Sequence, residues 1–428
     1  MLISFSVANF RSIKGKQTIS FEASSKYSDD SRDFQNNIFA TNNLQIPELV
    51  RAIALYGANA SGKSNIIRAF YACGKMVLAN KKKRGDKIDT DPFLLDNKTK
   101  EMPTSFNIDF IAKDGVRYLY GFSFDDTRII HEKLEYFDNK ENSSPKLKYE
   151  ITFEENHYIF SDTLENKEAL KNTFSNTQNN LLLNLLVNVE GDKDFNPIYD
   201  WFKTNLEVMF EHDDLSQDSV ELLHKDKNIK KSVLNLIKKF DLSIVDIEIE
   251  EFSDENLLKF IEIRTDIPDN IKNHFKNSKP KKLRPIFIHK YQNKKVRFKK
   301  SQISSGTENL IYLLPQIFIA LSRGGVLIFD EIDRSLHPDI LLEVVKIFHN
   351  PEFNKTNAQI LFTVHNDILL AKEYKLLRRD QIWFTSKDDN DQSTQIYSLA
   401  DFNNVRNDHN IANRYRDHEY GARPFIAK

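Results

Sequence analysis

Gly57-Ala58-Asn59-Ala60-Ser61-Gly62-Lys63-Ser64, read with its flanks, decides the fold of this chain. Ala52-Ile53-Ala54-Leu55-Tyr56 ahead of it is apolar and strand-like, and Asn65-Ile66-Ile67-Arg68-Ala69-Phe70-Tyr71 behind it reads as a helix. Strand, glycine loop and helix in that order are the context a phosphate-binding loop needs. The glycines let backbone N–H groups close around a phosphate, and the helix start adds its positive end. Lys63 is suited to the β- and γ-phosphates and the Ser64 hydroxyl to Mg²⁺. Residues 57–65 are therefore expected to bind a nucleoside triphosphate.

A second signal lies far downstream. Val326-Leu327-Ile328-Phe329-Asp330-Glu331 is a buried-strand pattern that delivers two carboxylates at its carboxyl end, where ligands sit in open α/β sheets. Asp330 is expected in the Mg²⁺ shell and Glu331 as the general base that activates water. Ile360-Leu361-Phe362-Thr363-Val364-His365 is a further strand ending in histidine. His365 either orients the water or Glu331, or is a hydrogen-bonded structural group. Ile303-Ser304-Ser305-Gly306-Thr307-Glu308 precedes the acidic strand and opens a helix from Asn309, a second anion-binding surface. Glu308 is expected to cap that helix. Arg334-Ser335-Leu336-His337-Pro338 follows the carboxylates.

This order of motifs resembles the ABC-type ATPase heads of the SMC, RecF and OLD branch. Asn9-Phe10-Arg11-Ser12, the Asp114-Gly115…Tyr120-Gly121-Phe122 hairpin, Arg379-Asp380-Gln381-Ile382-Trp383-Phe384 and Tyr420-Gly421-Ala422-Arg423-Pro424 resemble more closely a bacterial AAA-like, ABC-type family. That family supplies ATPase subunits to anti-phage and abortive-infection systems, such as RloA and the PARIS ATPase, which accompany Toprim-like nucleases. The resemblance covers both ends and the core motifs, and residues 150–280 only loosely. It implies an α/β P-loop head, a mixed β-sheet with flanking helices and a mainly helical insertion. It implies a homodimer or higher homo-oligomer that sandwiches ATP and Mg²⁺. Ser304, Ser305, Gly306 and Thr307 of one subunit would then face the γ-phosphate held by Lys63 of the other, and Arg11 would touch the same nucleotide. Ser305 stands where transporters carry a first glycine, and Thr307 where many carry Gln or Glu. The implied role is the regulatory subunit of a phage-defence complex with a separately encoded effector such as a Toprim-like nuclease. The alternative is a RecF- or SMC-like repair ATPase acting directly on DNA.

Composition sets bounds around these motifs. The 428 residues carry a net charge of −1, 40% apolar and 29% charged side chains, as in a globular protein with a sizeable core. No global field draws the chain to nucleic acid or acidic membranes. The single cysteine, Cys73, excludes an intrachain disulfide and suits a reducing cytoplasm. The start reads as a strand rather than a signal peptide, and no apolar run approaches the ~20 residues that span a bilayer. A soluble, cytoplasmic protein is expected.

Strands are expected at 2–8 and 17–22, at 105–111 and 117–122 about the Asp114-Gly115 turn, and at 243–251. Residues 80–90 read as a charged surface loop, and 138–146 as the exit from a first lobe. Lys167–Val189, Pro197–Phe210 and Lys230–Phe240 have helical spacing. The expected division is an N-terminal ATPase lobe at 1–150, a helical insertion at 151–280 and a C-terminal ATPase lobe at 281–428. Residues 279–300 hold ten Lys or Arg and no acid, across a hairpin-like Ile286–His289 and Val296–Phe298. These cations either protect a sheet edge or face nucleic acid or a nuclease. Thr385-Ser386-Lys387-Asp388 imitates a guanine-reading motif, but the surrounding motifs favour ATP. His409, His418, Arg414 and Arg416 have no metal-ligand spacing and read as a structural tail.

Overall fold

The computed structural model describes residues 1–25, 34–79, 83, 85–140, 143–153, 157–162, 164, 166–187, 194–210, 216–240, 243–253, 281–334, 336–403, 405 and 409–423. Ser335, Pro424, Asn188, Val189, most of the 80–84 stretch and residues 254–280 lie outside the described residues.

The chain opens with β1 (Leu2–Ala8), β2 (Gln17–Ser20), β3 (Ile38–Ala40), β4 (Glu48–Val50) and β5 (Ala52–Gly57), which leads through the glycine loop into α1 (Lys63–Leu78). Then come β6 (Thr104–Ile111), β7 (Arg117–Phe124), β8 (Ile129–Phe137), β9 (Lys146–Thr152) and β10 (His157–Phe160). Helices α2 (Lys167–Asn176), α3 (Leu182–Val187) and α4 (Asn196–Thr204) precede β11 (Leu206–Met209). Next are α5 (Ser216–Lys225), α6 (Lys227–Phe240), β12 (Ile244–Ser253), β13 (Lys281–Tyr291) and β14 (Lys294–Lys299). The last stretch holds α7 (Ser305–Arg323), β15 (Val326–Phe329), α8 (Pro338–His349), β16 (Gln359–Thr363), β17 (Ile382–Lys387), β18 (Thr394–Ser398) and α9 (Ile411–Arg416).

Contacts divide the chain into two units, one of Met1–Glu211, Ala320–Arg334 and Leu341–Lys428, the other of His212–Ile319 and Ser335–Ile340. The described part of the first unit contains a small antiparallel pair, β3 with β4, and two large sheets. One is antiparallel, in the order β10-β9-β8-β7-β6-β1-β2; the other, β11-β15-β16-β5-β17-β18, is parallel except at β18. Unbroken apolar runs suit strands covered on both faces, and every residue of β5 and β15 is buried. Helix α1 buries Ile66, Ile67, Phe70, Cys73 and Val77 at three- and four-residue spacing. The Phe70 ring stacks on Phe5 of β1 at 3.9 Å. Buried Gln359 ties the two sheets together: its Oε1 accepts from Leu2 N at 2.7 Å, and its Nε2 donates to Leu2 O at 3.0 Å and Val50 O at 3.3 Å.

The expected exit at 138–146 is instead a turn inside one sheet, because β9 pairs with β8 and β10 with β9. Residues 151–211 stay with the first unit, so the division falls near 211 rather than 150. Buried Glu132 of β8 is one physical reason. Its Oε1 accepts from the Tyr120 and Tyr149 hydroxyls, both at 2.8 Å, and from Leu183 N at 3.1 Å; its Oε2 accepts from Leu182 N at 2.6 Å. Trp201 of α4 adds a ring contact with Phe110 at 4.4 Å. The helical expectation for Pro197–Phe210 fails at its end. Leu206–Met209 is a strand, since pairing with Val326–Phe329 supplies backbone partners that local spacing cannot foretell.

The Glu132 tie gives a stability prediction. Glu132→Ala buries two hydroxyls and two amides without an acceptor and is expected to cost about 3–5 kcal/mol. Tyr120→Phe, which removes one donor, is expected to cost about 1 kcal/mol. Urea titration reads both; equal, small losses would show that the carboxylate ties nothing.

The described part of the second unit holds α5, α6, the sheet β12-β13-β14 and most of α7. No described helix is long and apolar enough to cross a membrane.

Candidate functional site: a phosphate loop facing two strand ends

The loop after β5 has the backbone its sequence demands. Gly62 has φ +110°, and a Cβ there would lie 2.1 Å from Thr394 Oγ1. Ala60 holds φ +63° without being glycine, a strained position of the kind that collects at functional loops. Lys63 is buried, and its Nζ donates to Gly57 O at 2.7 Å and Ala58 O at 3.3 Å. Burial pushes its ammonium pKa down, while Glu331, Asp330 and Asp333 pull it up.

The parallel strand order places β16 between β15 and β5, so the carboxylates, the histidine and the phosphate loop emerge along one sheet edge. Asp330 is buried, and its Oδ1 accepts from Ser64 Oγ at 3.1 Å and Thr363 Oγ1 at 2.8 Å. Two hard oxygen donors this close suit Mg²⁺, which takes one or two protein oxygens and completes its shell with water and phosphate. Glu331 has φ +56°. Its N–H donates to Thr363 Oγ1 at 2.6 Å, which turns the chain out of β15. Its Oε1 lies 3.3 Å from His365 Nε2 and its Oε2 lies 3.7 Å from Arg334 Nη1. A cavity of about 650 Å³ is lined by Ala58–Ala60, Gly62–Asn65, Glu331, Asp333, Arg334 and His365.

Asp333 is a site residue the sequence reading missed. Its Oδ2 accepts from His365 N at 2.9 Å and Asn366 N at 2.8 Å, and its Oδ1 is buried without a partner among the described residues. The available signal was a third acid two positions after Glu331. Thr363 was also missed, although it braces both Asp330 and Glu331.

Arg11 does not line that cavity. It has φ +51° and an ion pair with Asp91 at 2.7 Å, and it lines a neighbouring cavity of about 480 Å³ with Ser12, Asn65, Phe93 and Lys387. Asn65 lines both cavities. Its Nδ2 donates to Ser12 Oγ at 2.6 Å, and Ser12 pairs with Thr394 Oγ1 at 2.7 Å. Thr394 Oγ1 donates to Ser61 O at 2.9 Å, so the β1–β2 turn is stitched to the phosphate loop. Ser61 itself is buried, with its hydroxyl on Thr385.

Ser304, Ser305, Gly306 and Thr307 belong to the second unit. Ser304 Oγ accepts from Thr307 N at 3.1 Å, capping α7, which starts four residues earlier than expected. Glu308 does not cap; its carboxylate pairs with Lys300 at 2.6 Å. His337 pairs with Asp339 at 3.4 Å, also in the second unit.

Among solved structures, an Smc head bound to the C-winged helix domain of ScpA is 13% identical, covering 93% of this chain and 97% of that chain with a TM-score of 0.43. An Smc head with a coiled coil and joint from Pyrococcus yayanosii is 12% identical, covering 98% and 99%, with a TM-score of 0.41. The recombination mediator RecF with ATP is 15% identical, covering 85% and 93%, with a TM-score of 0.34. No curated protein matches the chain. The profile of one family, described as "AAA domain, putative AbiEii toxin, Type IV TA system", matches residues 52–371 and so spans the phosphate loop, both carboxylates and His365. The chain belongs to that family of AAA domains.

Proposed function

We propose that the protein binds and hydrolyses ATP with Mg²⁺ at an interface between two copies of itself, and that this cycle controls a separately encoded effector in a phage-defence complex. The observation that carries the ATPase half is the convergence of Lys63, Ser64, Asp330, Glu331 and His365 on one cavity edge. Gly57–Asn65 cradle the phosphates by their backbone, and Lys63 turns from its carbonyl partners to the β- and γ-oxygens. Ser64 and Asp330 would hold Mg²⁺, which would supply positive charge against the phosphates. Glu331 accepts the proton of the attacking water, and His365 holds Glu331 or the water in line. Arg11 and the second cavity take the nucleoside end. Ser304, Ser305, Gly306 and Thr307 at the start of α7 approach the γ-phosphate from the second copy, where a capped helix N-terminus favours an anion. Contacts made only while the γ-phosphate is present let hydrolysis open the dimer.

The defence role rests on the resemblance to abortive-infection ATPases and on the family to which the chain belongs. Two measurements test this reading. The purified protein should release phosphate from ATP in Mg²⁺, and protein isolated from its native operon should carry a co-eluting effector such as a nuclease. An inactive protein that elutes alone would contradict both halves.

One observation favours direct DNA contact as a second reading. In the second unit, acids of β12 pair with part of the basic segment: Arg284 with Glu250 at 3.1 Å, and Arg297 with Glu248 and Glu250. The exposed residues Lys290, Lys294 and Lys295 have no such acid among the described residues, and they surround Tyr291, 72% exposed, at the β13–β14 turn. Cations around a free aromatic ring suit a nucleic-acid backbone with a stacked base. Replacing the three lysines by glutamate should weaken DNA binding and reduce the slope of log K against log salt by roughly 2–3. Unchanged binding would leave the lysines as guards of an edge strand.

A further inference from the structure

The ATPase reading leaves α9 unused, yet this helix grips the segment that carries His365. Arg416 lies in its last turn. Its Nε donates to Asp367 Oδ2 at 2.6 Å and its Nη2 to Asp367 Oδ1 at 3.0 Å, the paired geometry of a guanidinium on a carboxylate. Asp367 sits two residues past His365 and opens the short turn Asp367–Leu370. The preceding helix residue, Tyr415, is buried, with its ring 5.5 Å from Tyr56 and stacked on Phe384 at 5.8 Å. Tyr56 is the last residue before Gly57, and its hydroxyl donates to Asn366 O at 3.2 Å. One short helix thus touches both the strand entering the phosphate loop and the chain leaving His365.

The helix is itself held. The Asn410 side chain accepts from Asn413 N at 3.1 Å, and Arg423 Nη1 donates to Arg416 O at 2.7 Å. His365 and Asn366 lie beyond the end of β16, outside its ladder. Among the described residues, three attachments from other elements hold this segment: Asp333 on the His365 and Asn366 N–H groups, Tyr56 on Asn366 O, and Arg416 on Asp367. The first two come from elements that already form the site. The third comes from a helix 49 residues further along the chain.

We propose that Arg416 is a positioning residue for turnover: its two bonds to Asp367 hold the 365–367 segment so that His365 Nε2 stays aimed at Glu331. The inference rests on the ATPase reading for its kinetic consequence, but not for the grip itself. A half-exposed ion pair contributes little to global stability, so a purely structural role would leave both rate and local order almost unchanged. A small misplacement of a catalytic group costs far more in rate than in binding.

The test compares Arg416→Gln, Arg416→Lys and Asp367→Asn in the full chain by steady-state ATPase assay, nucleotide titration, melting and amide hydrogen exchange. Arg416→Gln and Asp367→Asn should lower kcat by about 10-fold or more, with nucleotide affinity within about 2-fold. Exchange over residues 364–370 should accelerate while residues 57–64 keep their protection. Arg416→Lys, which keeps the charge but not the fork, should recover part of both effects. Wild-type kcat with unchanged exchange would overturn the proposal, as would a common loss of affinity, rate and melting temperature in all three variants. If the wild-type protein shows no turnover, the ATPase reading fails separately. Exchange over 364–370 then still decides the grip: faster in Arg416→Gln supports it, unchanged overturns it.

Discussion

Replacing Lys63 by alanine is expected to weaken ATP binding by about 100- to 1,000-fold, or about 3–4 kcal/mol. The argument starts from where the side chain lies. Lys63 is 5% exposed, and its ammonium rests on two carbonyls of its own loop rather than in water. Burial has already pushed its pKa down, so approach of a triphosphate adds Coulomb attraction without a further large desolvation cost. Among the described residues that line the cavity the other lysine or arginine is Arg334, which follows β15 rather than the phosphate loop. Titration with a fluorescent ATP analogue measures the effect, with circular dichroism to establish that the variant folds. Binding within about 3-fold of wild type would mean that the triphosphate sits elsewhere.

Glu331→Gln has the second large effect and should separate binding from chemistry. Glutamine keeps the size, an oxygen within reach of His365 and the main-chain bond to Thr363, but it cannot take a proton. Losing a positioned general base typically costs about 100- to 10,000-fold. Turnover should fall into that range while nucleotide affinity stays close to wild type. Wild-type turnover would remove Glu331 from the role of base and leave His365 without the partner it faces.

The contrast between these residues and the rest of the site shows what a sequence can and cannot reveal. The clustering of Lys63, Ser64, Asp330 and Glu331 was legible because a phosphate loop and a strand-end acidic pair have fixed spacing on a strand or loop. His365 was legible as a strand-end histidine, and its 3.3 Å approach to Glu331 gives that guess a geometry. Asp333 was not, because its partners are two backbone amides thirty-two and thirty-three residues away. Thr363 and Thr394 look like ordinary strand threonines, and only the fold puts their hydroxyls on Asp330 and Ser61. Long alternating strands such as 105–111 and 117–122 announced themselves, as did the Asp114-Gly115 turn, where Gly115 has φ +79°. The edge strand Leu206–Met209 did not, since four residues carry too little pattern and its pairing partner lies 120 residues on. Glu132 reads as an ordinary polar position in β8, yet it is fully buried and accepts four hydrogen bonds. Assigning 151–211 to an insertion followed from its helical spacing, and that spacing does not record which core a helix joins.

The central claim is that each ATP is completed by residues from two copies of the chain, and mixing two crippled variants tests it most directly. Lys63→Ala is expected to hold ATP too weakly to turn it over at concentrations that saturate the wild type, and Ser304→Arg is designed to block the helix start offered to a neighbour. A mixed dimer of the two contains one site with an intact phosphate loop facing an intact Ser304–Thr307 segment. The account predicts that each variant alone lacks ATP turnover and that mixing them restores a measurable fraction of the wild-type rate. Full turnover by Ser304→Arg alone, or no recovery on mixing two folded variants that form dimers, would contradict it.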